Sequence, residues 1–106
     1  MLSTKVKSKD NKYSFLKSKY MDKTPVIVTS SFLKEKKYLV PDNFTFGQLL
    51  YYLRKRSKDS IKPSEAIYIY VHSGPIKHIP MTHELITKYE NGDYVYVTVK
   101  KEPTFG

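Results

Sequence analysis

The sequence contains no cysteine, only two arginines among its nineteen basic residues, and no long apolar run in 106 residues. The lack of cysteine excludes disulfides, thiolate metal ligands and cysteine nucleophiles. No apolar stretch approaches the roughly 18 residues of a membrane-spanning helix, and the lysine-rich start has no signal-peptide core. With 40% apolar residues, this length fits one compact domain, which we expect to be soluble and cytoplasmic.

The residue patterns of known catalytic sites are missing as well. Five Asp and five Glu are scattered singly, without the close pair that acid–base catalysis uses. His72, His78 and His83 show none of the spacings of a metal site. There is neither a glycine-rich phosphate loop nor a Gly-x-Ser-x-Gly elbow. We therefore predict that the protein is not an enzyme, and we expect no cofactor and no metal.

Positive charge is concentrated at the start of the chain. The net charge is +9, and residues 1–23 carry +5 of it. Such asymmetry favours an anionic partner, either nucleic acid, an acidic protein or anionic lipid, although a solvated lysine-rich surface would look the same. No nucleic-acid-binding motif is present, and the ten tyrosines mostly alternate with β-branched residues as in strands. A basic nucleic-acid-binding domain therefore stays an alternative rather than the main hypothesis.

The first part of the chain predicts a helix followed by a hairpin. Tyr13, Leu16 and Tyr20 form one apolar stripe at helical spacing. The segments Pro25–Ser30 and Lys36–Pro41 are rich in β-branched residues or alternate between two faces, as strands do. Because the connection between them is short, we expect these strands to pair antiparallel.

A second helix has the clearest local signal. Thr45 and Gln48 have the spacing of a capping box, and Phe44 and Leu49 have that of a hydrophobic staple. The helix should end in three basic residues, Arg54, Lys55 and Arg56, which the helix dipole favours at that end.

The second half predicts three strands and a short helix. Ala66–Val71 is apolar on both faces, so we expect a covered strand, and Ile76–Ile79 adds a short edge strand. Thr82 is predicted to cap a short helix, and Tyr94–Val99 is predicted to be the last strand. This order predicts an α+β fold, a ubiquitin-like β-grasp roll with an N-terminal helical extension.

These elements suggest three regions. We place a basic N-terminal helical extension at residues 1–23, a ubiquitin-like domain at 24–100 and a flexible conjugation tail at 101–106. A glycine at the end of such a tail, Gly106, suits a conjugated modifier. Without a side chain, its carboxylate can enter narrow active sites as an adenylate and then as a thioester.

Several motifs carry a resemblance to a known family. They are Lys19-Tyr20-x-Asp22-x-x-Pro25-Val26-Ile27-Val28, Lys36-Lys37-Tyr38-Leu39-Val40-Pro41, Thr45-x-Gly47-Gln48 with Arg54-Lys55-Arg56, Ala66-Ile67-Tyr68-Ile69-Tyr70-Val71 and Thr104-Phe105-Gly106. Over residues 13–106 the sequence resembles the autophagy ubiquitin-like modifiers, the family of GABA-receptor-associated protein and microtubule-associated light chain 3. The resemblance also implies a first helix near Leu2 to Lys9.

The resemblance implies a function as a lipid-conjugated modifier. Activating and conjugating enzymes of the ubiquitin-like pathway would join Gly106 to phosphatidylethanolamine, so that a cytoplasmic monomer moves to the autophagosomal membrane. There it would recruit receptors whose aromatic-x-x-aliphatic peptides add a strand to the second strand of the sheet. Conjugation to protein lysines is the alternative within the same class.

The resemblance also implies a peptide site with two pockets. The pocket for the peptide aromatic would be lined by Leu16, Pro25, Ile27, Lys37, Leu39 and Tyr94. The aliphatic pocket would be lined by Tyr38, Val40, Pro41, Phe44, Leu49, Tyr52 and Arg56. Each apolar member alone could equally be a core residue, whereas Lys37 and Arg56 would attract acidic residues beside the peptide motif. Met21 and Glu35 depart from the family pattern, which affects the expected peptide specificity.

Overall fold

The computed structural model describes residues 12–34 and 36–103. Residues 12–19 form helix α1, and Phe46–Arg56 forms helix α2. The strands are β1 (Lys23–Thr29), β2 (Lys37–Pro41), β3 (Glu65–Ser73), β4 (Ile76–His78) and β5 (Val95–Pro103), and a 3-10 helix spans Ile86–Tyr89. The helix expected near Leu2 to Lys9 and Gly106, the predicted site of conjugation, lie outside the described residues.

The five strands form one mixed sheet in the order β2-β1-β5-β3-β4. Strands β1 and β5 pair in parallel, while β1–β2, β3–β5 and β3–β4 pair antiparallel. The predicted antiparallel hairpin and the predicted α+β fold are therefore confirmed, and β2 and β4 are the two edges.

Helix α2 packs across one face of the sheet and fills the core. Phe46, Leu49 and Leu53 are almost completely buried against alternating valines and isoleucines of β1, β3 and β5. The predicted capping box is confirmed. Thr45 Oγ1 accepts from Gln48 N at 3.1 Å, and Gln48 Oε1 accepts from Thr45 N at 2.8 Å. A cap of this kind stabilises a helix by about 1 kcal/mol. Because the cap depends on two residues only three positions apart, the start of α2 could be predicted from the sequence.

Helix α1 covers part of the other face. Tyr13 is buried and packs edge-to-face on Tyr94, with 5.6 Å between the ring centroids. Its hydroxyl donates to Glu90 Oε2 at 2.6 Å, and Lys17 Nζ lies 3.2 Å from the same oxygen. Burial and the hydrogen bond to Glu90 raise the pKa of Tyr13 above its usual value. One carboxylate therefore ties two successive turns of α1 to the domain.

Two predictions about the second half are wrong. Strand β3 is not covered on both faces, because Ile67 and Ile69 are buried whereas Tyr68 on the opposite face is 36% exposed. Thr82 does not cap the short helix, which begins after Leu85 without a side-chain cap. Thr82 and His83 lie in a turn instead, and the backbone of this segment bonds to the start of α2: Thr82 O accepts from Gly47 N at 2.9 Å.

The last strand extends four residues beyond the predicted end at Val99. Residues 101–103, assigned to the tail from the sequence, pair with the start of β3 down to Glu65 opposite Pro103. Lys101 Nζ donates to Ser60 O at 2.7 Å and lies 3.6 Å from Glu65 Oε1. Pairing with β3 satisfies backbone groups that the polar sequence gave no reason to place in a sheet.

Because of Glu84, the free energy of unfolding should decrease as the pH falls through the acid range. Hydrogen bonds from the Tyr89 hydroxyl at 2.6 Å and from Met81 N at 3.0 Å, together with Lys88, lower the pKa of Glu84 to about 2. A lowered folded-state pKa adds stability above the unfolded pKa near ~4.3, and that stability is lost as the pH falls toward about 2. Urea unfolding of the protein and of Glu84→Gln should therefore differ most at neutral pH and converge near pH ~2. If the difference in free energy of unfolding between the two proteins increased on acidification, this expectation would be wrong.

Candidate peptide-binding groove

Strand β2 presents an open backbone edge. In the β1–β2 pair, Val28 N donates to Lys36 O at 2.6 Å and Asp42 N donates to Asp22 O at 3.0 Å. Antiparallel partners alternate between hydrogen-bonded and non-hydrogen-bonded pairs, so the backbone groups of Lys37 and Leu39 point away from β1. Within residues 12–34 and 36–103 no strand pairs with this edge, so these amides and carbonyls are available to another strand.

A cavity lies between this edge and α2. It has a volume of about 230 Å³ and will be called the α2-side pocket, with seven lining residues: Lys37, Tyr38, Leu39, Val40, Pro41, Phe44 and Tyr52. Tyr38 and Tyr52 pack edge-to-face at 6.2 Å between ring centroids. Arg56 Nη1 donates to the Tyr52 hydroxyl at 2.9 Å, which holds a guanidinium beside the pocket.

Leu49 is not part of this pocket. Its side chain has no exposed surface, because the helix turns it into the core beside Phe46 and Leu53. A fully buried side chain cannot contact a peptide, so Leu49 is corrected from a lining residue to a core residue. Arg56 lines a neighbouring cavity with Lys34 and Ser57 rather than the α2-side pocket itself.

A second cavity lies between α1 and the sheet. It has a volume of about 390 Å³ and will be called the α1-side pocket, with five lining residues: Lys12, Phe15, Leu16, Lys37 and Tyr94. Leu16, Lys37 and Tyr94 are brought together here, as the resemblance implied. The other three residues assigned to this pocket do not line it: Pro25 is buried, Ile27 is half-buried, and Leu39 lines the α2-side pocket.

Sequence reasoning missed Phe15 in the α1-side pocket. Phe15 lies off the stripe formed by Tyr13, Leu16 and Tyr20, and it is 62% exposed. A large aromatic residue next to an otherwise polar helix face was the available signal, because exposed aromatic side chains often mark a binding surface.

Lys37 connects the two pockets. It lines both cavities, and its ammonium lies 5.4 Å from the centre of the Tyr94 ring. With Lys12 on one side and Arg56 on the other, the groove has a basic rim that complements acidic side chains.

Across residues 12–34 and 36–103, no three His, Asp or Glu side chains come close enough to hold a metal ion. His72 bonds to Thr98 Oγ1 at 2.8 Å, and His78 bonds to the Tyr89 hydroxyl at 3.2 Å. None of the described helices is long and apolar enough to cross a bilayer.

A mixed sheet that holds one helix across its face, with an accessible edge strand, defines a ubiquitin-like protein of the β-grasp class. The model of the family described as "Autophagy protein Atg8 ubiquitin like" matches residues 8–106, and the chain belongs to this family. The resemblance inferred from the sequence motifs is thereby confirmed.

Curated relatives and a solved structure agree with this assignment. The chain is 36% identical over 102 residues to Autophagy-related protein 8e of Arabidopsis thaliana, covering 86% of this chain and 79% of that protein. It is 32% identical over 98 residues to Autophagy-related protein 8 of Dictyostelium discoideum, covering 86% and 80%. The crystal structure of Trypanosoma brucei ATG8 superposes with a TM-score of 0.74 at 22% identity, covering 94% and 90%, which supports the fold.

Proposed function

We propose that the protein is an autophagy modifier that is conjugated through Gly106 to phosphatidylethanolamine and recruits receptors to the autophagosomal membrane. Membership of the Atg8 family supports this proposal, and the family match extends through Gly106. Activating and conjugating enzymes of the ubiquitin-like pathway are the partners required for conjugation. The groove beside β2 is the receptor site.

One observation carries the receptor proposal: the open edge of β2 has a pocket on each face of the sheet. A peptide added as a strand turns successive side chains to opposite faces, so residues three positions apart point to different faces. An aromatic-x-x-aliphatic motif therefore delivers one anchor to each pocket. The backbone groups of Lys37 and Leu39 set its register.

The two pockets differ in size as the two anchors do. The α1-side pocket, at about 390 Å³, is lined by two aromatic rings and Leu16 and takes the peptide aromatic. The α2-side pocket, at about 230 Å³, takes the smaller aliphatic anchor. Acidic residues flanking the motif meet Lys37 and Arg56.

Leu39→Ala should weaken binding of a peptide of the form Glu-Trp-x-x-Leu by about tenfold or more, measured by calorimetry. Leu39 lies at the centre of the open edge and is 37% exposed. Leu85→Ala is the matched control, because Leu85 is 41% exposed and lies outside both pockets. Equal losses for the two variants would contradict the proposed site.

Chemical-shift mapping with the same peptide tests the location independently. We expect the largest shifts at Lys37–Val40 together with Phe15 and Tyr52. Shifts confined to Tyr68–Tyr70 on β3, with β2 silent, would place the peptide elsewhere.

A further inference from the structure

Much of the positive charge outside the N-terminal segment lies in three stretches of sequence. Residues 29–36, 54–65 and 98–103 hold nine basic and four acidic residues, a net charge of +5. Residues 1–23 carry another +5, so all the remaining residues together have a net charge of −1. The charge excess of the ubiquitin-like domain is therefore localised.

The fold brings these three stretches to the same end of the sheet. Arg54 Nη2, in the last turns of α2, donates to Glu65 O at 2.6 Å at the start of β3. Lys101 Nζ, near the end of β5, donates to Ser60 O at 2.7 Å and lies 4.9 Å from the centre of the Phe32 ring. These contacts link the β1–β2 connection, the loop after α2 and the last residues of β5.

Most of this charge faces solvent. Arg54 and Lys101 are partly buried and engaged in the contacts above, and Glu65 lies beside Lys101 at 3.6 Å. Seven basic side chains are exposed and will be called the basic end: Lys34, Lys36, Lys55, Arg56, Lys58, Lys62 and Lys100. In the described parts of the three stretches, Asp59 and Glu102 are the exposed acidic residues.

The basic end lies beside the point where the chain leaves the sheet. Pro103 pairs with Glu65, and Gly106 follows three residues later. Three residues span at most about 11 Å, close to the distance over which charges act at physiological salt. Whatever is joined to Gly106 is therefore held within reach of these lysines.

We propose that the basic end is a contact surface for anionic lipid, which orients the domain on the membrane to which it is attached. The orientation rests on the proposed conjugation at Gly106, whereas the lipid contact itself does not. Six of the seven groups are lysines, which act as point charges and suit a diffuse anionic surface better than bidentate recognition. Nucleic acid is also negatively charged, but conjugation at Gly106 would place a membrane, not nucleic acid, beside these lysines.

The test uses the full, unconjugated chain and sedimentation with vesicles of phosphatidylcholine, with or without phosphatidylserine. The variant Lys58→Gln/Lys62→Gln/Lys100→Gln should bind vesicles containing phosphatidylserine about tenfold or more weakly than the unchanged protein. The matched control is Lys19→Gln/Lys77→Gln/Lys88→Gln, which loses the same formal charge from exposed lysines outside the basic end. The control should bind nearly as the unchanged protein does.

Three results would overturn the inference. Equal losses in both triple variants would show that only net charge matters. Unchanged binding in the first variant would place the contact elsewhere, such as in residues 1–11. Binding of the unchanged protein to single-stranded RNA but not to vesicles with phosphatidylserine would replace lipid by nucleic acid. Gly106→Ala should bind the vesicles as the unchanged protein does. The lipid contact can therefore be tested even if the conjugation proposal fails.

Discussion

Gly106→Ala is expected to abolish conjugation of the protein to phosphatidylethanolamine in cells. Conjugation through an adenylate and a thioester requires the carboxylate to enter narrow active sites, and a β-carbon at this residue obstructs that entry. The measurement is mass spectrometry of the cellular protein for the lipid adduct. Because Gly106 lies beyond the last paired residue of β5, the unfolding midpoint should not change.

Thr104→Ala is the control for this experiment, since it alters the same segment and keeps the glycine. It should retain the adduct. A phosphatidylethanolamine adduct on the Gly106→Ala protein would contradict the proposal. Adducts of the unchanged protein on lysines of other proteins, without any lipid adduct, would identify the alternative, a modifier of proteins.

Tyr13→Ala is expected to lower the free energy of unfolding by about 3 kcal/mol and to remove the α1-side pocket. The substitution deletes the ring that packs on Tyr94 and removes the hydroxyl that donates to Oε2 of the half-buried Glu90. The ion pair of Lys17 with Glu90, at 3.2 Å, then remains between α1 and the rest of the domain. Urea unfolding measures the stability. Calorimetry with the Glu-Trp-x-x-Leu peptide measures the affinity, which should fall if the α1-side pocket is lost.

Tyr51→Ala supplies the comparison for this variant. Tyr51 is also a helical tyrosine, but it is 65% exposed on α2, so its removal should change stability by less than about 0.5 kcal/mol. If Tyr13→Ala were no more damaging than Tyr51→Ala, the attachment of α1 described above would be incorrect.

The features that sequence predicted well are those fixed by neighbouring residues. The start of α2 follows from the reciprocal bonds of Thr45 and Gln48, three residues apart, so it could be found without knowing the rest of the fold. The hairpin β1–β2 follows from a short connection between two alternating segments. Five of the seven residues that line the α2-side pocket were implied for it by the family resemblance: Tyr38, Val40, Pro41, Phe44 and Tyr52.

The features that sequence missed depend on distant partners. The extension of β5 through Pro103 requires the start of β3, and the turn at Thr82 bonds to Gly47 of α2. Leu49 was misassigned and Phe15 was missed because apolarity does not say whether a helical side chain faces the sheet or the solvent. Only the docking of each helix on the sheet decides that.

The parallel pairing of β1 with β5 has a consequence for synthesis of the protein. Val26 lies opposite Val95, so the two central strands come from opposite ends of the domain and almost the whole fold lies between them in sequence. Such non-local pairing cannot form until the last strand is available. Tyr94, immediately before β5, also lines the α1-side pocket. A nascent chain on the ribosome therefore has no complete α1-side pocket, and the proposed peptide groove forms only when synthesis has reached the final strand.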